Sequence, residues 1–134
     1  MSRYRDLFVS ESRDHLTAIE HALVDLEADP NRRDPIDALF RSVHTIKGMA
    51  GAMGYAPVAE LSHAIESRLD AIRSGNQPLD RATLDLLFEG ADALEQLVAA
   101  ATAGTSALDT VALVERLGQA PVPGAVVVDQ RSTP

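Results

Sequence analysis

Apolar residues recur along this chain at spacings of three and four, which is the period of an amphipathic helix. Five such segments can be delimited, over residues 5–28, 35–53, 56–73, 80–101 and about 108–117. No segment alternates strongly over the length of a strand. Because each apolar stripe covers one side of its helix, the pattern predicts an all-α fold, an antiparallel four-helix bundle with an additional C-terminal helix.

Capping residues predict where the second helix begins and ends, and the spacing of apolar residues predicts the inner face of the fifth helix. Asp34 followed by Pro35 predicts a start with Asp34 as the N-cap and proline at the first helical position. Gly54 predicts the C-terminal cap of the same helix. In the fifth helix, the side chains expected to face inward are Leu108, Val111, Val114 and Leu117.

Composition narrows the class of protein. Hydrophobic residues make up 46% of the 134 residues, enough for a packed core, and aromatic residues only 4%, which favours packed helices over a sheet. The net charge of −8 disfavours nucleic acid as a partner, because its phosphates repel an acidic chain. The chain has no cysteine, which excludes disulfide and thiolate chemistry.

The organisation along the chain is that of one domain with a tail. No apolar run approaches the roughly 18 residues that suggest a membrane span, and the N-terminus lacks the apolar core of a signal peptide. We therefore expect no membrane segment and a cytoplasmic location. We also expect a domain over residues 1–118 and a flexible linker over 119–134, rich in proline, glycine and polar residues. A simple disordered C-terminus is the alternative.

The second helix carries one histidine beside bare surface. Around the helix axis, His44 lies roughly 130° from the mean direction of the apolar stripe, on the solvated flank. Gly48, Gly51 and Tyr55 project close to it, and Lys47 lies between that face and the edge of the core. A helical glycine costs about 1 kcal/mol relative to alanine. Glycines kept beside a histidine therefore indicate that something large must reach it.

An exposed imidazole on such a face can act as a nucleophile near pH 7. Attack on a phosphoryl group needs one ring nitrogen accessible and the proton on the other nitrogen held, which a carboxylate on a neighbouring helix can do. The third helix supplies His63 and Glu66, which share a face at i and i+3. Lys47 would place a cation near the phosphoryl oxygens.

Together, His44 with Lys47 and Gly48, followed by His63 and Glu66, resembles the motif pair of the histidine phosphotransfer (HPt) domain. The resemblance is closest to the N-terminal phosphotransfer domain of chemotaxis-type histidine kinases, and it covers about residues 4–118. It implies that His44 is phosphorylated, that Glu66 orients it and that His63 is an auxiliary histidine.

The same resemblance implies a phosphorelay module of two-component chemotaxis signalling. A histidine kinase domain holding ATP and Mg would phosphorylate His44, and a response-regulator receiver domain of the CheY or CheB kind would accept the phosphoryl group on an aspartate. Gly48, Gly51 and Tyr55 would form the surface on which partners dock. The domain itself would be a phosphoryl carrier, monomeric and without a cofactor, and its sequence contains no P-loop.

The parent chain and the chemistry of the site leave alternatives open. By resemblance the parent is a protein histidine kinase with further domains beyond residue 134, or else the chain is a free-standing phosphotransfer protein. His44, His63 and Glu66 could instead ligate zinc, although the spacing is not HExxH and the glycines would be unexplained. A structural helical adaptor with an incidental histidine is a third reading, and a self-contained enzyme is disfavoured. The reactive nitrogen is also open, although Glu66 bound to Nδ1 would leave Nε2 free.

Overall fold

The structure is a computed structural model that describes residues 3–105 and 108–119. Within these ranges it contains five α-helices and no strand. They are α1 (Arg3–Ala28), α2 (Arg33–Met53), α3 (Ala56–Arg73), α4 (Arg81–Ala103) and α5 (Val111–Gly118). The predicted all-α fold is confirmed.

The first four helices form the bundle. The second helix packs against α1 and α3, and α4 closes the bundle by packing against both α1 and α3. Short turns join α1 to α2 and α2 to α3, so these neighbours run antiparallel. The core is aliphatic, as the composition predicts. Its largest fully buried side chains are Ile19, Leu23, Leu26, Leu39, Ile46, Leu61, Leu69, Leu94, Leu97 and Leu117.

The start of α2 corrects the predicted cap. The helix begins at Arg33 and its N-cap is Arg32, which makes no side-chain capping hydrogen bond. Asp34 and Pro35 therefore lie inside the first turn. Proline is tolerated there because the first amides of a helix have no intrahelical acceptor, and an acidic residue there complements the helix dipole. Gly54 is the C-cap as predicted, with φ of 76°.

The inward face of α5 also differs from the prediction. Leu108 and Val111 are exposed, whereas Leu113 and Leu117 are buried and Val114 is partly buried. The spacing predicted a helix from about Leu108, but α5 begins only at Val111, so Leu108 precedes the helix and does not share its faces. Within α5, the packing of Leu113 and Leu117 against the core sets the rotation of the helix and leaves Val111 exposed.

A buried arginine fastens α5 to the bundle. Arg68 of α3 is 8% exposed, and its Nη1 donates to the carbonyl oxygens of Leu117, at 3.1 Å, and of Gln119. These carbonyls lie at the C-terminal end of α5, which has no further helical donors to offer them.

Nearby, a Cβ added at Gly90 would lie 3.2 Å from Cδ1 of Ile65, so glycine lets α4 approach α3 closely.

Part of the predicted organisation lies outside the described residues. The structure does not describe residues 1, 2, 106, 107 and 120–134. The last of these ranges contains the whole expected linker except residue 119. The division into a domain over 1–118 and a linker over 119–134 stays a prediction. Among the helices described here, each is too short or too polar to cross a membrane.

Candidate functional site

The site lies where α2 faces α3. His44 stands on the outer flank of α2, and its side chain is 62% exposed, as the helical projection predicts. Glu66 lies opposite on α3, and its side chain is only 11% exposed. The neighbouring Ile65 and Leu69 are buried in the core and fix the rotation of α3. The packing of the core thus directs the Glu66 carboxylate to the seam between the two helices.

Glu66 joins the two functional side chains of α2. Its Oε2 pairs with Nδ1 of His44, and its Oε1 accepts a hydrogen bond from Nζ of Lys47 at 2.5 Å. Because a carboxylate only accepts, Nδ1 carries the proton and Nε2 presents a lone pair. No described residue forms a hydrogen bond with Nε2 of His44. The arrangement therefore holds one nitrogen and leaves the other open to solvent.

The charge on Glu66 is stabilised in this position. Burial would raise the pKa of the Glu66 carboxyl, but hydrogen bonds from Lys47 and His44 and the charge of Lys47 outweigh it. The pKa of Glu66 consequently lies below its ordinary value. At neutral pH the group is a carboxylate, which is the form that can hold the Nδ1 proton and balance positive charge on the imidazole ring.

His63 lies at the rim of this cluster. Its Nδ1 is 3.8 Å from Oε1 of Glu66, beyond hydrogen-bonding distance, and its side chain is 69% exposed. The prediction that His63 and Glu66 share a face toward α2 therefore agrees with the geometry. The structure connects His63 to the site through Glu66, with no hydrogen bond to His44 among the interactions found in the described chain.

The two helical glycines near His44 open onto solvent. A Cβ added at Gly48 or at Gly51 would meet no atom within 4 Å outside its own helical turn, so neither glycine is needed for packing against α3. Tyr55 behaves differently. The helix ends at Met53, so the helical projection does not extend to Tyr55, and a docking role for Tyr55 stays a prediction. The Tyr55 ring instead packs edge-on against Phe8, with 4.9 Å between ring centroids.

Three residues at the site received no functional role from the sequence. The Phe40 ring lies parallel to the His44 ring, with an interplanar angle of 7°, and the guanidinium of Arg73 lies over Phe40. Asp37 binds Arg73 in turn. The i, i+4 spacing of Phe40 and His44 was a usable signal. The contact between Arg73 and Phe40 could not be predicted from the sequence, because it depends on how α3 crosses α2.

The geometry does not favour the zinc hypothesis for His44, His63 and Glu66. Across the described residues, the only group of three potential ligands whose donor atoms lie within 4.8 Å of one another is Glu20, Asp92 and Glu95. These are exposed carboxylates on α1 and α4. Moreover, Glu66 already accepts from Lys47, and a lysine beside a metal ligand would repel the cation.

Comparison with known proteins identifies the family. The sequence profile of the Hpt domain family matches residues 3–104. The chain belongs to this family. The Hpt domain is 43% identical over 98 residues to the chemotaxis protein CheA of Bacillus subtilis, an alignment that covers 73% of the chain. The chain spans 15% of the length of that relative.

Solved structures agree with the Hpt fold. The phosphorylated P1 domain of CheA3 from R. sphaeroides, in complex with CheY6, superposes with a TM-score of 0.76 at 26% identity, covering 87% of this chain and 94% of that one. The CheA phosphotransferase domain of Thermotoga maritima has a TM-score of 0.69 at 35% identity, covering 74% and 96%. The resemblance inferred from His44, Lys47, His63 and Glu66 is therefore confirmed for the family and the fold.

Proposed function

We propose that this Hpt domain is a phosphoryl carrier in a chemotaxis-type two-component system. His44 accepts a phosphoryl group from a histidine kinase domain and passes it to an aspartate of a response-regulator receiver domain. The observation that carries the proposal is the His44 imidazole, exposed to solvent with Nδ1 held by a buried carboxylate and Nε2 open.

The geometry supports attack by Nε2. Its lone pair forms the N–P bond while the bond between phosphorus and the leaving oxygen of the donor nucleotide breaks. The ring then gains positive charge, and the Nδ1 proton stays hydrogen-bonded to the Glu66 carboxylate, which stabilises that charge. In the second step a receiver carboxylate attacks phosphorus, the N–P bond breaks, and its electron pair returns to Nε2.

Lys47 has two roles in this proposal. Its Nζ donates to Glu66 at 2.5 Å, which keeps the carboxylate ionised and in place. Its second role is electrostatic: the side chain is partly exposed at the edge of the site, and we propose that the ammonium group contacts the oxygens of the phosphoryl group once that group is attached to His44. His63 is exposed at the edge of the site and lies outside hydrogen-bonding distance of Glu66. In this proposal it is an auxiliary polar residue.

The partners follow from the family and from the open surface. In this proposal ATP and Mg belong to the kinase domain, which supplies the phosphoryl group, and the Hpt domain binds neither. The similar P1 domain of CheA3 was solved in complex with CheY6. This supports a receiver domain of the CheY or CheB kind as the acceptor. Gly48 and Gly51 would let either partner approach the histidine, since in the described part of the chain a Cβ added at either glycine would meet no atom within 4 Å outside its own helical turn.

The context of the domain is part of the proposal. The relatives are chemotaxis proteins several times longer than this chain, which favours a multidomain protein histidine kinase as the parent over a free-standing phosphotransfer protein. A cytoplasmic location and a monomeric domain stay predictions. Cell fractionation and analytical ultracentrifugation test them.

The test is transfer of labelled phosphoryl from ATP, using the kinase domain of a CheA protein and the 134-residue chain. We expect acid-labile label on the chain, loss of label in His44→Gln, and discharge onto a CheY receiver domain. His21→Gln is the matched control, because His21 is an exposed histidine on α1 outside the site. Equal labelling of His44→Gln, or no label from competent kinase domains, would favour the adaptor reading.

A further inference from the structure

The His44 ring is held at only one atom by the groups so far described. The hydrogen bond to Glu66 fixes Nδ1, but most of the ring is exposed to solvent. A ring anchored at a single nitrogen can still pivot about that bond and about its own χ2. Transfer to phosphorus needs the Nε2 lone pair aligned with the bond that breaks. A second restraint on the plane of the ring would therefore increase reactivity.

Phe40 supplies such a restraint. It precedes His44 by one helical turn, and the two ring centroids are 6.2 Å apart with an interplanar angle of 7°. This is an offset parallel arrangement within the range preferred by aromatic pairs. The Phe40 ring is half-buried and packs against the core, so it has less freedom than the exposed imidazole.

Arg73 in turn restrains Phe40. Its guanidinium carbon lies 4.2 Å from the centroid of the Phe40 ring, which is the geometry of a cation–π contact. Nε of Arg73 donates to Oδ1 of Asp37 at 3.1 Å, so the guanidinium is fixed on α2 as well as on α3. Asp37, Arg73 and Phe40 thus form a connected series that ends at the His44 ring.

We propose that Phe40, held by Arg73 and Asp37, is a positioning residue that fixes the plane of the His44 ring for phosphoryl transfer. The inference rests on the proposed role of His44. It assigns function to the half of the site that lies N-terminal to His44 on α2, on the side away from Lys47 and Gly48. Phe40 acts through His44 and needs no contact with the phosphoryl group.

The test uses phosphoramidate, a small phosphoryl donor that requires no docking surface. In the reaction Nε2 forms the N–P bond and ammonia leaves. We compare the 134-residue wild-type chain with Phe40→Leu, Phe40→Tyr and Arg73→Gln, and record ¹⁵N chemical shifts of the His44 imidazole for each. Phe88→Leu, a half-buried phenylalanine on α4, controls for the loss of a packed ring.

We expect Phe40→Leu to be labelled about two- to tenfold more slowly, which is the effect of losing one aromatic pair contact in the transition state. Its ¹⁵N shifts should move toward an average of the two tautomers. Phe40→Tyr should restore both, and Arg73→Gln should show a smaller loss with the same spectral change. Arg73→Gln keeps the test decisive if Phe40→Leu does not fold.

Two outcomes would overturn the inference. One is wild-type labelling in both Phe40→Leu and Arg73→Gln. The other is slower labelling with unchanged His44 shifts and a melting temperature lowered as in Phe88→Leu, since that result indicates a structural role only. Failure of the proposed function is distinct, because the wild-type chain itself would then remain unlabelled at His44.

Discussion

The open glycine flank beside His44 yields a prediction in which stability and partner-dependent activity move in opposite directions. Gly48 is a helical residue of α2, and a Cβ added to it would meet no atom within 4 Å outside its own turn. Gly48→Ala therefore gains helix propensity without a steric cost. The expected increase in the free energy of unfolding is about 1 kcal/mol, or about 4–8 °C in melting temperature for a domain of about 100 residues.

Urea and thermal unfolding of the 134-residue chain measure this effect, and Gly90→Ala is the matched control. Gly90 is also helical, but its added Cβ would lie 3.2 Å from Cδ1 of Ile65 and 3.9 Å from Cδ1 of Leu117. The side chain of Ile65 must shift to accept it, so the same gain in propensity is offset by strain. We expect Gly90→Ala to be less stable than Gly48→Ala.

The functional half of the prediction concerns approach to His44. Gly48→Ala, and more strongly Gly48→Gln, should slow labelling by the kinase domain and discharge onto the receiver domain, while labelling by phosphoramidate stays near wild type. A destabilised Gly48→Ala would refute the open geometry. Partner-dependent rates unchanged in Gly48→Gln would refute the reasoning that bare surface here serves docking.

Three further predictions concern α3. Because the pKa of Glu66 is lowered in the folded state, its interactions stabilise the domain above the ordinary carboxyl pKa, and that stabilisation disappears as pH falls through the lower folded-state value. Glu66→Gln should thus lower the free energy of unfolding by about 1–3 kcal/mol at neutral pH. In urea titrations, the difference in unfolding free energy between the wild type and this variant should shrink below about pH 4. A difference that does not depend on pH would contradict this explanation. His63→Gln should leave the free energy of unfolding within about 0.5 kcal/mol of wild type and slow phosphorylation less than Glu66→Gln does; a larger kinetic loss would make His63 a principal residue. Arg68→Met leaves the last carbonyls of α5 without donors, so hydrogen exchange should show lost protection in α5 at a cost of about 1–3 kcal/mol, whereas retained protection would show that Leu113 and Leu117 suffice.

Local features were predictable because they depend on residues close in sequence. The period of apolar residues predicted the same bounds for α3 as the structure has, and it placed His44 on the solvated flank of α2. The i, i+3 spacing of His63 and Glu66 predicted a shared face. The prediction failed where a helix boundary intervened, as at Leu108, which precedes α5 and is exposed.

The sequence by itself determined that there are five helices and which face of each of the first four is apolar, because a rotation of about 100° per residue is set by the backbone alone. The tertiary structure decided how α2 and α3 are rotated and offset against each other, since that depends on how their buried side chains interlock. This crossing makes one carboxylate, Glu66, serve both His44 and Lys47. The same crossing brings Arg73 over Phe40, a contact between distant residues that no local period encodes.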